Sequence, residues 1–338
     1  MIDRIKHWTG AALAAPAIWL ASIANVPLKA WQKATGTSGM AVFFLAPNMA
    51  IFSVFVLVPF VINFFYSATS GSAFFLADRN FVGAEQYARL LDCGNYLDPS
   101  SCREDLFWRA VSNTGYFVVV QVTALIVVSM ITALILNREI AGRSFWRAVF
   151  FFPVLLSPVV VGLIWRWILQ RQGLLNFILF ELGLDTHDWL IESSSAFTAA
   201  VAVSIWAHMG FFTLILLAGL QAIPRDLYEA AEMDGTPSAR VFWRITLPLL
   251  IPNLLVVIIL ALIRAVQIFD EVYVLTGGGP GTSTLYITQY IYEVGFASLL
   301  RNPGLAAAAS ILMGAVLVVL TLVQLQIGRR NERKGARE

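Results

Sequence analysis

Six long apolar stretches constrain the fold of this chain more than any other feature of its sequence. Each is about 20 residues or longer, which is the length that a helix needs to cross the hydrocarbon core of a bilayer. Backbone groups inside lipid must pair within their own segment, so each stretch is predicted to be a transmembrane helix. The six predicted spans are Met40–Tyr66, Ala110–Leu136, Phe145–Leu169, Ala196–Leu220, Leu249–Phe269 and Pro303–Ile327.

The composition excludes several other classes of protein. Charged residues make up 13% of the 338 residues, whereas soluble domains carry roughly 25%. The apolar stretches are continuous and do not alternate with polar residues, which disfavours a β-barrel. The net charge of +2 is too small to indicate nucleic-acid binding. The predicted fold is an all-α membrane protein with six transmembrane helices.

The Lys and Arg residues of the loops predict how the chain is oriented, because such residues concentrate on the cytoplasmic side of a membrane. With the N-terminus in the cytoplasm, 15 of the 23 Lys and Arg residues fall in cytoplasmic segments and six in outer loops. Both termini are therefore predicted to be cytoplasmic. The polar segment between the fourth and fifth spans is predicted to lie on the same side.

The predicted spans divide the chain into three parts. Residues 1–39 form an N-terminal cytoplasmic or interfacial segment, residues 40–328 the transmembrane domain, and residues 329–338 a basic cytoplasmic tail. Within the first part, Gly10–Leu28 is apolar but short and interrupted by prolines. This pattern favours a helix that lies in the membrane interface. An additional span and a cleaved secretory signal remain open for the same residues.

A polar segment, Pro224–Pro248, interrupts the apolar sequence and has the pattern of a structured loop. Pro224 suits the first turn of a helix, because proline lacks the N–H that would have no partner there. Gly235 is predicted to end that helix, since glycine tolerates the left-handed conformation common at helix C-termini. Thr236 and Pro237 can begin a second helix, as an N-cap and a first-turn proline. Two short helices joined at a glycine are therefore predicted.

Both cysteines of the chain, Cys93 and Cys102, fall in the first predicted outer loop. An outer loop faces an oxidising compartment, which favours a disulfide between them. Two free thiols are the alternative. Two cysteines without a nearby histidine do not make a structural zinc site, so no metal is predicted here.

The sequence lacks the groups that catalysis on this chain would need. Gly277–Pro280 is rich in glycine but lacks the Lys-Ser/Thr pair of a phosphate-binding loop. His7, His187 and His208 are scattered, so they indicate neither a metal cluster nor a nucleophilic triad. No enzymatic activity and no cofactor are predicted. If ATP drives transport, another subunit must hydrolyse it.

Parts of the polar segment resemble a known family of membrane proteins. Glu229–Ala231, Asp234-Gly235 and Ile245–Pro248 follow the pattern of the EAA loop found in ABC importer permeases. Val274–Pro280 is similar to the outer end of the fifth span in the sugar-type branch of this family, which includes maltose, α-glucoside and glycerol-phosphate permeases. The resemblance covers most of the chain from the first predicted span to the last.

The resemblance implies the fold, the location and the partners of the chain. The fold would be that of a type I importer permease in the cell inner membrane, with several spans. The partners would be a second permease in a heterodimer, two cytoplasmic ATPase subunits, and a solute-binding protein on the outer side. The substrate would be a sugar, either a monosaccharide or an oligosaccharide, and nucleic acid would not be bound.

The EAA loop of this family acts as a coupling helix that docks in a cleft of the ATPase. By that resemblance Glu229 would pair with a basic group there, and Ala230 would allow close approach. A helix of about ten residues is marginal alone in water, and Leu227 and Tyr228 are expected to share one face with Ala231. The residues expected to couple this chain to the ATPase are Glu229, Ala230, Ala231, Asp234 and Gly235.

Polar residues within the spans predict part of a translocation pathway, because polar groups in lipid face a cavity or a neighbouring helix. Arg264, Gln267 and Glu271 are three and four residues apart. They are expected to share one face of the fifth span, with Arg264 neutralised by an acidic partner. Asp270 and Tyr273 follow toward the outer end. Hydrogen bonding between helices is the alternative role for each of these residues.

His208 in the fourth span completes the candidate pathway residues, although packing between helices is its favoured role. The predicted function is therefore the permease subunit of an ATP-driven sugar importer that works by alternating access. A glycerol-phosphate-like or polyol substrate is the first alternative, and it is disfavoured because Arg264 is the only deep cation in the spans. A secondary transporter that needs no ATPase is the alternative of another class, and a membrane enzyme is a third.

Overall fold

The structure of this protein is a computed structural model that describes residues 32–33 and 36–335. Its chain divides into two compact units, of which the first ends at Phe65 and the second begins at Tyr66. The predicted interfacial helix at Gly10–Leu28 lies outside the described residues.

Helices make up most of the described chain, as the sequence predicts. The first predicted span forms helix α1, Gly36–Ser67. The remaining helices are α2 (Glu85–Leu91), α3 (Asp105–Asn137), α4 (Arg143–Phe151), α5 (Pro158–Leu169), α6 (Leu174–Glu181), α7 (Ser193–Gln221), α8 (Arg225–Met233), α9 (Ser238–Val266), α10 (Asp270–Thr276), α11 (Ile287–Tyr292) and α12 (Pro303–Gly335).

Five of the described helices are long and apolar enough to cross a membrane, and they confirm five of the six predicted spans. Helix α3 begins before its predicted bound, at Asp105, because an acidic residue in the first turn favours a helix N-terminus. Helix α12 continues to Gly335, so most of the predicted tail, residues 329–338, prolongs a helix. The five segments are Gly36–Ser67, Asp105–Asn137, Ser193–Gln221, Ser238–Val266 and Pro303–Gln326.

The third predicted span is not one continuous helix, which corrects the prediction for Phe145–Leu169. The segments Arg143–Leu155 and Pro158–Glu181 are bent by 101° relative to each other. Ser157 is extended, with ψ of 137°, and Pro158 begins the next helix. The residue before a proline is disfavoured in the helical region, and proline supplies no N–H to continue the helix. Hydropathy does not reveal this break, because the segments on both sides of it are hydrophobic.

The fifth predicted span ends three residues early, at Val266 rather than Phe269. Phe269 leaves the helical conformation, with φ of −151° and ψ of −71°, and α10 begins at Asp270. Arg264 and Gln267 therefore lie at the end of one helix while Glu271 belongs to the next. The prediction that these three residues share one helical face is wrong, because that periodicity holds only within an unbroken helix.

The main apolar core of the second unit lies where α3, α7 and α9 pack together. Phe117, Phe212 and Leu250, one from each of these helices, are fully buried. Helix α7 passes so close to the end of α4 that a Cβ atom at Gly210 would lie 2.3 Å from the carbonyl oxygen of Phe150. Such close packing leaves little freedom for α7 to rotate, so it fixes which of its side chains point away from the core.

The first loop of the second unit is held by several local restraints. A disulfide joins Cys93 to Cys102, which is the arrangement that the sequence favours over two free thiols. Hydrogen bonds from Ser100 lower the pKa of the Asp98 carboxyl group. Two short strands, Thr69–Ser70 and Asn80–Phe81, pair antiparallel at the beginning of the loop.

Candidate functional site

The polar segment between α7 and α9 forms an exposed helix followed by a tight turn. Helix α8 ends in a Schellman motif, in which the N–H of Gly235 donates to the carbonyl of Glu232 at 2.9 Å. The N–H of Thr236 donates to the carbonyl of Ala231, also at 2.9 Å. Gly235 has φ of +64°, a conformation that favours glycine. The glycine therefore ends the first helix, as the sequence predicts.

The second half of the segment differs from the prediction of a second short helix. Pro237 is extended and precedes the helix, so α9 begins at Ser238. From there the helix continues through a π-helical turn at Phe242–Thr246 into the fifth span. The helix continues past Pro248, which lies just after that turn. One helix thus leads from the turn into the transmembrane bundle.

The two faces of α8 have different environments. Ala231 is buried, and Tyr228 packs against the main apolar core. Leu227 is exposed instead, so the prediction that these three residues share one face is wrong. Glu229 and Ala230 are exposed as well. Leu227, Glu229 and Ala230 thus form an outward face, while Ala231, one of the predicted coupling residues, faces inward.

A hydrogen bond ties the inward face of α8 to the beginning of the fifth span. The hydroxyl groups of Tyr228 and Thr246 are 3.1 Å apart, and the Thr246 side chain is buried. A buried hydroxyl left without a partner is destabilising by about 1–3 kcal/mol. The pair therefore fastens α8 to α9 at a second point, in addition to the turn at Gly235.

Arginine side chains of α4 connect neighbouring helix ends. The Arg143 Nε donates to the carbonyl oxygen of Leu136 at 2.7 Å, at the end of α3. In the amide orientation that satisfies both groups, the Gln221 oxygen accepts from Arg147 at 2.8 Å and from Arg143 at 3.1 Å. These contacts join the ends of α3, α4 and α7.

A polar cavity of about 330 Å³ lies among α3, α5, α7, α9 and α10. Both breaks in the predicted spans border it, since Pro158 begins α5 and Gln267–Phe269 separate α9 from α10. Irregular backbone at membrane depth is tolerated where it lines a cavity. The cavity is lined by Gln121, Leu125, Pro158, Ser204, His208, Phe212, Ala261, Arg264, Ala265, Gln267, Ile268, Phe269, Asp270 and Glu271.

Five of the six predicted pathway residues line this cavity, although they come from three helices and the break between two of them. These five are His208, Arg264, Gln267, Asp270 and Glu271. Tyr273 does not line it; its ring stacks on that of Phe269, a lining residue, at a centroid distance of 5.1 Å. Residues before and after the break at Gln267–Phe269 thus line the same cavity.

The surroundings of Arg264 differ from the expectation of an acidic partner. Among the described residues, no carboxylate forms an ion pair with Arg264. Its guanidinium group lies 5.7 Å from the centre of the Phe211 ring instead. Such a contact is attractive because the ring face is negatively polarised. Arg264 is exposed when this chain is considered without a partner subunit, so the N–H donors of its guanidinium group are available to the cavity.

Two further polar residues, Gln121 of α3 and Ser204 of α7, also line the cavity. Gln121 and Ser204 are both 3% exposed, and Glu271 is 6% exposed. The Gln121 Nε2 donates to the Ser204 Oγ at 3.4 Å, which links α3 to α7. The His208 Nδ1 lies 2.8 Å from the carbonyl oxygen of Ser204. A carbonyl only accepts, so this contact assigns the proton to Nδ1 and leaves Nε2 as an acceptor in the neutral ring.

The half-helices α5 and α10 cross closely beside the cavity. A Cβ atom at Gly162 would lie 2.8 Å from the carbonyl oxygen of Glu271, so only glycine fits there without displacement. The Arg166 guanidinium also donates to the carbonyl of Val274 at 3.3 Å. In the described part of the chain, no group of three or more His, Cys, Asp or Glu side chains is arranged to hold a metal ion.

A helical membrane bundle with broken spans around a polar cavity and a protruding helical loop is the architecture of an importer permease. Residues 125–333 match the family described as the inner membrane component of binding-protein-dependent transport systems. The chain belongs to this family. It is therefore a multi-pass membrane protein and a permease component.

Several characterised relatives are similar over most of their length. The trehalose/maltose transport system permease protein MalF of Thermococcus litoralis is 37% identical, over 84% of this chain and 92% of that protein. The lactose transport system permease protein LacF of Rhizobium radiobacter is 33% identical, over 86% of this chain and 94% of that protein. The sulfoquinovosyl glycerol transport system permease protein SmoG of Agrobacterium fabrum is 34% identical, over 87% of this chain and 91% of that protein.

A solved structure has the same fold. A chain of a bacterial ABC transporter that imports the acidic polysaccharide alginate matches with a TM-score of 0.74. The match covers 88% of this chain and 98% of that chain, at 23% identity. The predicted type I importer permease fold is thus confirmed.

The hydrogen bond between Tyr228 and Thr246 predicts a measurable loss of local stability when it is removed. In Tyr228→Phe the ring still packs but the Thr246 hydroxyl loses its partner, so opening of α8 should become easier by about 1 kcal/mol. Amide hydrogen exchange in residues 225–233 of the purified protein should then be roughly fivefold faster. Tyr116→Phe, at an exposed ring of α3, is the matched control. Equal exchange in wild type and Tyr228→Phe would show that the bond does not hold α8.

Proposed function

We propose that this chain is the sugar-translocating permease of an ATP-driven, binding-protein-dependent importer. Both termini and the α8 helix would lie in the cytoplasm. The distribution of Lys and Arg supports this orientation. In the assembly, two ATPase subunits would dock from the cytoplasm, a second permease would complete the pathway, and a solute-binding protein would deliver the substrate from outside.

The exposed face of α8 and the turn after it are the proposed contact with the ATPase. Leu227, Glu229 and Ala230 face away from the bundle, and Met233 is 88% exposed. An apolar side chain this accessible next to a carboxylate suits a partner cleft with a basic rim. Ala231, which is buried, would not contact the ATPase but would pack α8 against the other helices of this chain. Asp234 and Gly235 would set the angle between α8 and α9.

Helix α9 is the proposed path by which movement of α8 reaches the cavity. At 1.5 Å per residue, the segment Ser238–Val266 is about 43 Å long. It begins at the turn after α8 and ends at the break beside Gln267, which lines the cavity. A displacement of α8 by the ATPase would therefore be carried by one helix to the cavity wall. Hydrolysis would take place on the ATPase subunits and not on this chain.

The chemistry of the cavity favours an uncharged, hydroxyl-rich substrate. Two carboxylates, Asp270 and Glu271, and the acceptor nitrogen of His208 border it, against the single guanidinium of Arg264. Hydroxyl groups donate to such acceptors, whereas a phosphate or carboxylate would be repelled by them. The relatives named for trehalose and maltose and for lactose transport fit this choice. A glycerol-phosphate-like anion fits the cavity less well.

The second permease would close the cavity on its open side. Arg264, Gln267 and Asp270 border the cavity and are exposed when this chain is considered alone. Polar side chains in a membrane are destabilising when they face lipid, so a protein partner or water must cover them. A secondary transporter that works without an ATPase would have no use for the exposed face of α8, which favours the importer over that alternative.

The coupling role predicts that transport and ATP hydrolysis can be separated by substitutions in the loop. In proteoliposomes containing both permeases, the ATPase and the binding protein, Glu229→Lys and Gly235→Pro should lower sugar uptake at least about tenfold while ATP hydrolysis continues. The first variant reverses the charge that α8 offers to the ATPase, and the second cannot adopt the positive φ of the turn. Glu139→Lys, at an exposed glutamate between α3 and α4, should not lower uptake. Uptake at the wild-type rate in both loop variants would remove the coupling assignment.

The substrate proposal predicts a clear preference among added solutes. In the same proteoliposomes, maltose, trehalose and lactose would be tested beside glycerol 3-phosphate. At least one of the neutral disaccharides should stimulate ATP hydrolysis and accumulate inside, because the cavity offers acceptors for its hydroxyl groups. Accumulation of glycerol 3-phosphate without any of the three sugars would contradict the proposal.

A further inference from the structure

Four aromatic side chains form a continuous row that begins at the wall of the cavity. Phe269 lines the cavity, and its ring stacks on that of Tyr273 at a centroid distance of 5.1 Å. The Tyr292 ring contacts both, at 5.2 Å from Phe269 and 5.5 Å from Tyr273. Phe296 continues the row, with its ring centroid 6.2 Å from that of Tyr292. We call these four residues the aromatic row.

The aromatic row leads away from the cavity, toward the end of the bundle opposite α8. Helix α11 runs antiparallel to α3, as two ring contacts show. Tyr286, just before α11, lies 4.8 Å from Phe117, and Tyr290, within α11, lies 5.6 Å from Phe107 near the beginning of α3. The cavity is lined by the turns of α3 that follow Phe117. Phe296 comes after α11, so it lies at the end of the row that is remote from the cavity.

The rings of the aromatic row are accessible from outside this chain. Tyr273 and Tyr292 are each 37% exposed, and Phe296 is 62% exposed. The planes of Tyr292 and Phe296 are inclined by 26°, and their centroids are 6.2 Å apart. Such rings are offset and do not fully cover each other, so part of each face stays open. A molecule from outside this chain can therefore pack directly on them.

The surroundings of the aromatic row favour a sugar over lipid as the molecule that covers it. Asp270 is exposed, lines the cavity and lies three residues before Tyr273 on α10. The carboxylate and the ring are therefore neighbours on one helix surface. An ionisable side chain is destabilising where it faces lipid. A sugar suits both groups, because its hydroxyl groups donate to a carboxylate and its C–H face packs on an aromatic ring.

We propose that the aromatic row is a saccharide-binding surface, on which the rings of the sugar stack as it moves between the end of the bundle opposite α8 and the cavity. This inference rests on the proposed function and adds to it a path that leads into the cavity. A cyclic sugar presents a flat C–H face to an aromatic ring, whereas an open-chain polyol does not. The aromatic row thus selects saccharides over polyols.

The test places a photoactivated aromatic residue in the row and identifies the molecule that lies against it. The complete transporter carries Phe296→p-benzoylphenylalanine, which keeps a ring and, on illumination, inserts into a neighbouring C–H bond. Maltose, trehalose, lactose and the open-chain polyol sorbitol are added separately to nanodiscs of this complex, without nucleotide and with a trapped ATP analogue. Mass spectrometry then measures the mass that this chain has gained.

The sugar that the wild-type transporter accumulates should crosslink at position 296 far more than sorbitol does. Tyr292→Leu keeps an apolar side chain but removes the neighbouring ring. It should lower the yield about two- to tenfold, the effect expected for one aromatic contact. Phe180→p-benzoylphenylalanine, on α6 and 70% exposed, is the matched control and gives the yield of chance encounters. Should the Phe296 variant not assemble, the same residue replaces Tyr273, with the same expected results.

The possible results separate this inference from the function on which it rests. If the wild-type complex accumulates none of the three sugars in proteoliposomes, the proposed function fails and the aromatic row has no saccharide to bind. If wild type accumulates a sugar, the aromatic row alone is overturned by a yield no higher than that of sorbitol or of the control in both states, or by an unchanged yield in Tyr292→Leu. Crosslinks to phospholipid or to the second permease in place of sugar would also overturn it, because they identify another occupant.

Discussion

Inside a bilayer every backbone N–H and C=O must find its partner within the protein, and this requirement limits where a chain can leave a helix. Within two of its predicted spans the described chain leaves the helical conformation, before Pro158 and at Gln267–Phe269, and both breaks border the same polar cavity. The breaks therefore belong to the cavity. Gln267, Asp270 and Glu271, which lie at and after the second break, line this cavity.

Much of the architecture could be predicted from the sequence because it follows from length and hydrophobicity. Runs of about 20 apolar residues have few alternatives to a membrane helix, and the turn at Gly235 is signalled by residues whose backbone preferences are local. The bend before Pro158 had a signal in its prolines, but the surrounding apolar sequence concealed it. The break after Val266 had none, since Gln267, Ile268 and Phe269 are neither glycine nor proline. It results from tertiary packing.

The composition of the cavity was harder to predict than its existence. Helical spacing placed Arg264, Gln267 and Glu271 on one face, and the break at Gln267–Phe269 makes that reasoning inapplicable. Which way Gln121 points depends on the rotation of α3, which close packing against α7 sets. Tyr273 looked equivalent to its neighbours in sequence, yet it does not line the cavity, and its ring stacks on the lining residue Phe269. Local sequence patterns predict that a helix exists, whereas tertiary packing determines which of its side chains line the cavity.

The most direct test of whether these broken spans form the transport pathway is to measure from which side of the membrane the cavity is accessible. The two cysteines of the sequence are joined by a disulfide, so Gln267→Cys introduces the single free thiol of this chain. In oriented proteoliposomes of the complete transporter, a membrane-impermeant maleimide would be added to either side, and labelling of this chain read by mass spectrometry. Alternating access predicts labelling from one side without nucleotide and from the opposite side with a trapped ATP analogue. If Gln267→Cys is unreactive in both states and from both sides, the cavity is not the pathway.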